Sequence, residues 1–519
     1  MAPPIPRRSA RPQWWSRAVF YQVYPRSFAD SNGDGVGDLD GITERLDHLS
    51  DLGVQALWLN PVMVSPMADH GYDVSDPRDI DPLFGDLAAL DRLLAAAHAR
   101  GIRVTMDLVP NHVSSAHPWF VAALADPTRR DRFIFRDGGG PDGSEPPNNW
   151  VSIFGGPAWT RVPDGQWYLH LFDAAQPDLN WEHPEVFDDI EKTLRFWLDR
   201  GVDGFRIDVA HGMAKPPTLP DMDLTENELL RNKADDPRFD NDAVHDIHRF
   251  IRTVLDDYPD AVTVGEIWVH GNEQFAKYLR PDELHLGFNF QLVQTDYDAA
   301  GIRAAIDNSL DAAALAGAAP TWTLSNHDVP REVSRYGNGA AGLRRARAMA
   351  LVKLALPGTV FIYNGAELGL PNVELPDDVL QDPVWERSGR AERGRDGCRV
   401  PLPWSGSAPP FGFSSTPDTW LPIPADWKAL TVEAQRDDPD STLTLYRRAI
   451  ALRTGRAEFA GDTVEWLGDS TFRRPGGLVC AFNAGAVPVT LPAGEVLLTS
   501  GPLKDGLLPP DTAAWLVSA

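Results

Sequence analysis

Apolar and polar positions along this chain switch repeatedly between a period of two and a period near 3.6. Ala18–Tyr24 (AVFYQVY), Ala56–Asn60 (ALWLN) and Ile102–Leu108 (IRVTMDL) read as strands, with helical spacing over Ile42–Leu52 and Leu87–Arg100 between them. From Ser114 to about Asn180 the rhythm stops, in a stretch rich in Gly, Pro, Trp and Asp. So long an irregular segment predicts an inserted domain or a functional lid. The rhythm resumes with a helix over Ile190–Arg200, stopped by Gly201, and a strand over Val202–Asp208. A helix over about Asp242–Leu255 follows, then strands over Ala261–Glu266, His285–Phe290 and Thr321–Leu324. A long helix, Leu343–Leu356, leads into an eighth strand, Thr359–Tyr363.

Eight strands, most with a polar cluster just past the C-terminal end, predict a (β/α)8 barrel with its site at that face. Leu370 to about Trp427 is again irregular, Leu443–Thr454 is helical, and short strands after Thr463 predict a small antiparallel β-domain. The expected division is a barrel over 1–110 and 181–435, the latter interrupted at about 370–427. An insert occupies 111–180, and a helix with a β-sandwich domain occupies 436–519.

Composition narrows the partners. Lys and Arg number 48 against 74 Asp and Glu, a net charge of −26, which argues against nucleic acid, anionic membranes and anionic substrates. Two cysteines, Cys398 and Cys480, cannot build a disulfide framework. The Pro/Arg-rich start lacks an apolar core, so no signal peptide is expected, and no apolar run is long enough to span a membrane. These features predict a cytoplasmic protein, acting as a monomer or homodimer.

The candidate chemistry lies at the strand ends. Arg206 and Asp208 share one face of their strand, so the guanidinium is expected to hold the carboxylate ionised. Asp208 is then either part of a site or half of a buried structural ion pair. Glu266, beside Trp268, and Asp328, beside His327, end two later strands, and His112 and the Tyr72-Asp73 pair lie near two earlier ones. No zinc-type histidine spacing, nucleophile elbow or phosphate loop is present, which leaves paired-carboxylate chemistry amid many Trp and Tyr, suited to a neutral sugar acetal. After the first strand, Asp30, Asn32, Asp34, Val36 and Asp38 alternate around glycines. That is either an oxygen-rich turn for a hard cation or an ordinary Asx/Gly turn; unlike an EF-hand it has no closing Glu and no preceding helix.

Seven stretches carry a resemblance: DLVPNH (Asp107–His112), GFRIDVAH (Gly204–His211), GEIW (Gly265–Trp268), SNHD (Ser325–Asp328), QPDLN (Gln176–Asn180), HGYDVSD (His70–Asp76) and RDGCRVPLPW (Arg395–Trp404). In this order they resemble the α-amylase superfamily of glycoside hydrolases, in its α-glucosidase/oligo-1,6-glucosidase branch. The resemblance implies Asp208 as nucleophile, Glu266 as general acid/base and Asp328 as a stabilising carboxylate. It implies that Tyr72, Asp73, His112, Arg206 and His327 line the glucosyl pocket, with Arg395, or alternatively Arg399, paired to Asp73. The turn is implied to hold one structural Ca²⁺ or Mg²⁺ through Asp30, Asn32, Asp34, Asp38 and the Val36 carbonyl, with no organic cofactor. Asp107 and Asn111 are implied to be structural. His70, Ala210 and His211 depart from the common pattern, and Val209 is the residue that relatives associate with α-1,6 links. The implied activity is exo-acting retaining hydrolysis of short α-glucosides, with a transglucosylase or disaccharide isomerase as the alternative.

Overall fold

A computed structural model describes residues 13–224 and 236–517. Eight parallel strands form the central sheet: β1 (Val19–Val23), β2 (Ala56–Leu59), β3 (Arg103–Leu108), β4 (Gly204–Ile207), β5 (Val262–Glu266), β6 (Leu286–Phe288), β7 (Thr321–Trp322) and β8 (Thr359–Tyr363). Their order, β6-β5-β4-β3-β2-β1-β8-β7, curls into a barrel open only between β6 and β7. A side chain crosses that seam, where the Thr321 hydroxyl donates to the Gly287 carbonyl at 2.5 Å.

The interior and exterior of the barrel are separate apolar clusters. Phe20, Ala56, Trp58, Val262, Val264, Phe288 and Phe361 fill the inside. The opposite faces of the same strands, such as Tyr21, Leu57, Phe205 and Ile207, pack under the surrounding helices. Close packing dictates the start of β4: a Cβ on Gly204 would lie 2.0 Å from the Val262 carbonyl, so only glycine fits. The preceding helix, Pro184–Arg200, runs six residues further back than apolar spacing predicts, because Pro184 sits in its first turn and His183 caps it. The helix expected over Ile42–Leu52 is two short ones, Leu39–Glu44 and Leu46–Leu52, broken at Arg45.

The stretch after β3 is less irregular than its composition predicts. It holds a helix (Pro118–Ala125) and a three-stranded antiparallel sheet with Gln166–Leu169 between Phe135–Asp137 and Trp159–Arg161. After β8 the described chain is short turns and two small helices, Pro383–Arg387 and Val432–Arg436, until the long helix Thr442–Gly455. A five-stranded antiparallel sheet closes the fold and is anchored by Trp515, whose indole donates to the Leu351 carbonyl. Cys398 and Cys480 are buried free thiols. Among the described residues no helix is long and apolar enough to cross a membrane. Residues 1–12, where most of the segment read as lacking a signal peptide falls, lie outside the described residues.

Candidate active site

The site grows from the β3–β4–β5 ladder. Parallel register sets Asp107 beside Arg206, and the alternation of β4 turns Arg206 inward over Trp58. Arg206 then donates to three carboxylates: Nη1 to Asp208 (2.5 Å) and Asp107 (2.9 Å), Nη2 to Glu266 (2.8 Å). One cation is shared three ways, so each acid receives only part of its compensation. Burial lifts Asp107 to about 6 against the pull of Arg206. Burial also pushes Asp208 well up; Arg206 opposes the rise, and Glu266, Asp107 and Asp328 add to it. Arg206 favours the ionised form of Asp208, as expected, but burial and the neighbouring acids work against it and leave the carboxyl raised. Asp107 and Asp208 are thus both raised above the ordinary carboxylate range.

Asp328 is the opposite case. Burial would raise it, but His327, Arg395 and Arg399 outweigh burial and hold it below the usual carboxylate range. His327 is itself driven toward the neutral ring by burial. The two arginines, at 3.1 and 3.0 Å, therefore supply the charge. Gln22 donates to Nδ1 of His327, which leaves the proton on Nε2, facing Tyr72 (2.6 Å) and Asp328 (3.3 Å).

Glu266 is the last residue of β5. Its Oε1 accepts from the Trp268 indole (3.1 Å) and its Oε2 from the Val209 backbone N–H (3.1 Å). Trp268 stacks on Phe290 with centroids 4.1 Å apart. Val209 aims its N–H from φ +45°, a left-handed conformation that costs a β-branched residue about 1–3 kcal/mol.

Above these groups lies a cavity of about 860 Å³, lined by Tyr72, His112, Asp208, Glu266, His327 and Asp328. Ile153, Phe154 and Phe172 form one rim, and Val384, Ser388 and Arg393–Arg395 the other. Arg387 ties the rims together, donating to the Gly155 carbonyl (2.9 Å) and reaching Asp173 (3.4 Å). Asp69 and Arg395, 2.8 Å apart, lie in the cavity wall. Adjacent carboxylates over an aromatic-lined cavity at a barrel mouth are equipped for acid–base and nucleophilic work on an acetal. Residues 22–461 match the α-amylase catalytic domain.

The chain belongs to the α-amylase family. It is a glycoside hydrolase by that membership and by its relatives. It is 41% identical over 478 residues to a probable α-glucosidase of Rhizobium meliloti, covering 88% of this chain and 85% of the relative. It is 38% identical over 478 residues to an oligo-1,6-glucosidase of Parageobacillus thermoglucosidasius, covering 85% and 83%. Among solved structures it resembles an α-glucosyl transfer enzyme, XgtA (38% identity, TM-score 0.89, covering 98% of this chain and 100% of that one). It also resembles the trehalulose synthase MutB of Pseudomonas mesoacidophila MX-45 (33%, 0.87, covering 97% and 99%).

In this α-amylase-family chain three of the sequence-predicted pocket residues stand elsewhere. Asp73 does not meet the arginine. Its carboxylate accepts from Ser65, Ala68 and Asp69, and so shapes the loop that presents Asp69 to Arg395. The positive φ of Met67, His70 and Gly71 reverses the chain around the two aspartates, which spacing alone cannot reveal. Arg206 and Arg399, each 1% exposed, lie behind the acids instead of facing the cavity. Asp107 and Asn111 are also behind the wall, Asn111 donating to Asp178. Sequence reasoning missed Asp69, Phe154, Phe172 and His211 as lining residues.

The turn after β1 spends its oxygens on its own backbone. Asp30 accepts from Asn32, Gly33 and Gly35, Asn32 from Asp34, and Asp34 from Val36. Asp38 accepts from Ser31 and caps the next helix through Gly41. Among the described residues no three His, Cys, Asp or Glu side chains gather as a metal-holding group. The donors are nevertheless all hard oxygens, each with lone-pair capacity left, which fits Ca²⁺ or Mg²⁺ in kind when Asn32 and the Val36 carbonyl complete the set.

Proposed function

We propose that this enzyme is an exo-acting, retaining α-glucosidase that releases the non-reducing glucose of short neutral α-glucosides. The observation that carries the reading is Arg206 bridging Asp208 and Glu266, which is compatible with the ~5–5.5 Å spacing of a retaining pair. Asp208 attacks the anomeric carbon as Glu266 protonates the departing oxygen. Glu266 then takes a proton from water as the water hydrolyses the glucosyl-enzyme. Asp328, held ionised by two arginines, favours the oxocarbenium-like charge between these steps. The tied rims and the Asp69–Arg395 pair support a pocket closed at one end, open to a chain terminus and not to a threaded polymer.

A second reading is transfer of the glucosyl unit to a sugar, or isomerisation of a disaccharide, through the same intermediate. The likeness to XgtA and MutB favours it. Product analysis on maltose, isomaltose, sucrose and trehalose separates the two. Free glucose as the main product supports hydrolysis, new disaccharides support transfer, and a fall in the viscosity of soluble starch before glucose appears overturns the closed pocket.

Four further outcomes are expected. Asp69→Ala should lower kcat/KM by about 10²-fold, near 3 kcal/mol, by removing one partner of a buried, charge-assisted pair. Asp73→Ala should lower Tm as well, because Asp73 braces the loop. Equal kinetics for Asp69→Ala and wild type would overturn the assignment.

A nucleophile works ionised, and burial lifts the Asp208 carboxyl. Activity should therefore rise with pH through that elevated value, placing the acid limb of kcat/KM above the ~3.9 of an exposed aspartate. A midpoint at or below that value contradicts the upward shift of Asp208. The turn at 30–38 is proposed to hold Ca²⁺ or Mg²⁺ for stability alone. Chelation should lower Tm by several degrees and leave room-temperature kcat unchanged, whereas immediate loss of turnover at constant Tm would place the cation in the chemistry.

A further inference from the structure

The turn that follows β4 is bracketed on every side. Asp208 donates its N–H to the Leu108 carbonyl (2.9 Å), and Ala210 donates its own to the Glu266 carbonyl (3.1 Å). The Ala210 carbonyl lies 2.7 Å from Nε2 of His248, on the helix Val244–Leu255. Val209 lies between these hydrogen-bonded peptides, and its own carbonyl accepts from the Gly212 N–H (2.9 Å). Its left-handed φ of +45° delivers its N–H to Glu266 Oε2.

We propose that His248 is a positioning residue for the reacting pair: by holding the Ala210 carbonyl it keeps Val209 in the left-handed conformation that aligns Glu266 with Asp208. The proposal rests on the reading of Asp208 and Glu266 given above. His248 is fully buried and lies outside the cavity. A carbonyl only accepts, so Nε2 carries the hydrogen. Nδ1 has no hydrogen-bond partner, and burial lowers the ring to about 3, so the ring is neutral with a fixed tautomer. A leucine would fill the same space without leaving a buried nitrogen unsatisfied. The structure instead keeps a polar ring whose one hydrogen bond goes to this turn.

The test is a double-mutant cycle between His248 and Val209, following kcat, KM and Tm. Glycine adopts φ +45° freely, so in a Val209→Gly background the turn no longer needs to be held. His248→Leu should lower kcat about 10–100-fold in the enzyme that keeps Val209, with KM nearly unchanged, as expected when a reacting group is misplaced. In the Val209→Gly background the same change should cost less than about 3-fold, a coupling that independent sites do not show. His248→Gln, whose amide nitrogen reaches the Nε2 position, should restore most of kcat. If the leucine variant does not fold, His248→Asn replaces it in both backgrounds, its shorter amide falling short of the carbonyl.

Equal losses in both backgrounds overturn the proposal, as does a fall in Tm without a fall in kcat, or equal losses for leucine and glutamine. Glu266→Gln, measured alongside, keeps the two readings apart. An active Glu266→Gln defeats the assignment of the pair, whereas an inactive one with an additive cycle defeats only the role of His248.

Discussion

Asparagine in place of Asp208 is expected to lower kcat about 10⁴–10⁶-fold, the scale on which enzymes lose activity when a nucleophile is removed. The amide has the shape of the carboxylate but cannot form the glucosyl ester. The fold should survive, because Arg206 keeps Asp107 and Glu266 as partners and the crowded acids lose one like charge. Asp208→Ala gives a stereochemical check. Azide in the vacated space attacks the anomeric carbon directly, the aglycone leaves with its bonding pair, and the product is the inverted β-glucosyl azide. Retention of a tenth of wild-type activity by a clean Asp208→Asn preparation would remove Asp208 from the reaction.

Glu266 should respond in a way that depends on the leaving group. Alanine there is expected to lower kcat/KM on maltose by about 10²–10⁴-fold, the range general acid catalysis supplies. A 4-nitrophenyl α-glucoside, whose aglycone leaves without a proton, should lose far less in its first step. Azide should then react with the waiting intermediate and give the α-glucosyl azide. Glutamine is the harsher substitution for the fold. Its NH₂ group must face either the Trp268 indole N–H or the donors of Arg206 and Val209, so a buried donor meets a donor. Equal losses on both substrates would deny Glu266 the acid role.

Much of this was legible before any coordinates. The eight strands could be read because a buried parallel strand is a short apolar run between breakers, and the three acids because they end such runs. What could not be read depends on the direction of loops. Asp69 and Asp73 are four residues apart on one turn, and the positive-φ residues around them decide which of the two meets Arg395. The upward shift of Asp208 could not be read, because strand alternation revealed its own partner, Arg206, but not its burial or that Asp107 and Glu266 share that partner from neighbouring strands. The small sheet after β3 escaped notice because its strands are only three or four residues long and separated by glycine-rich chain.

The bridge from Arg387 to Gly155 and Asp173 has a consequence for traffic. On the proposed closed pocket, the joined rims leave a single doorway. On the retaining mechanism proposed above, the departing sugar must clear it before anything else comes in, while the glucosyl unit stays bound behind it. The next visitor, water or a second sugar, would then meet the same intermediate in the same vacated space. The balance between hydrolysis and transfer is then set by the queue outside as much as by the chemistry within. An enzyme that works by that mechanism would change its product mixture with sugar concentration, without any change in structure.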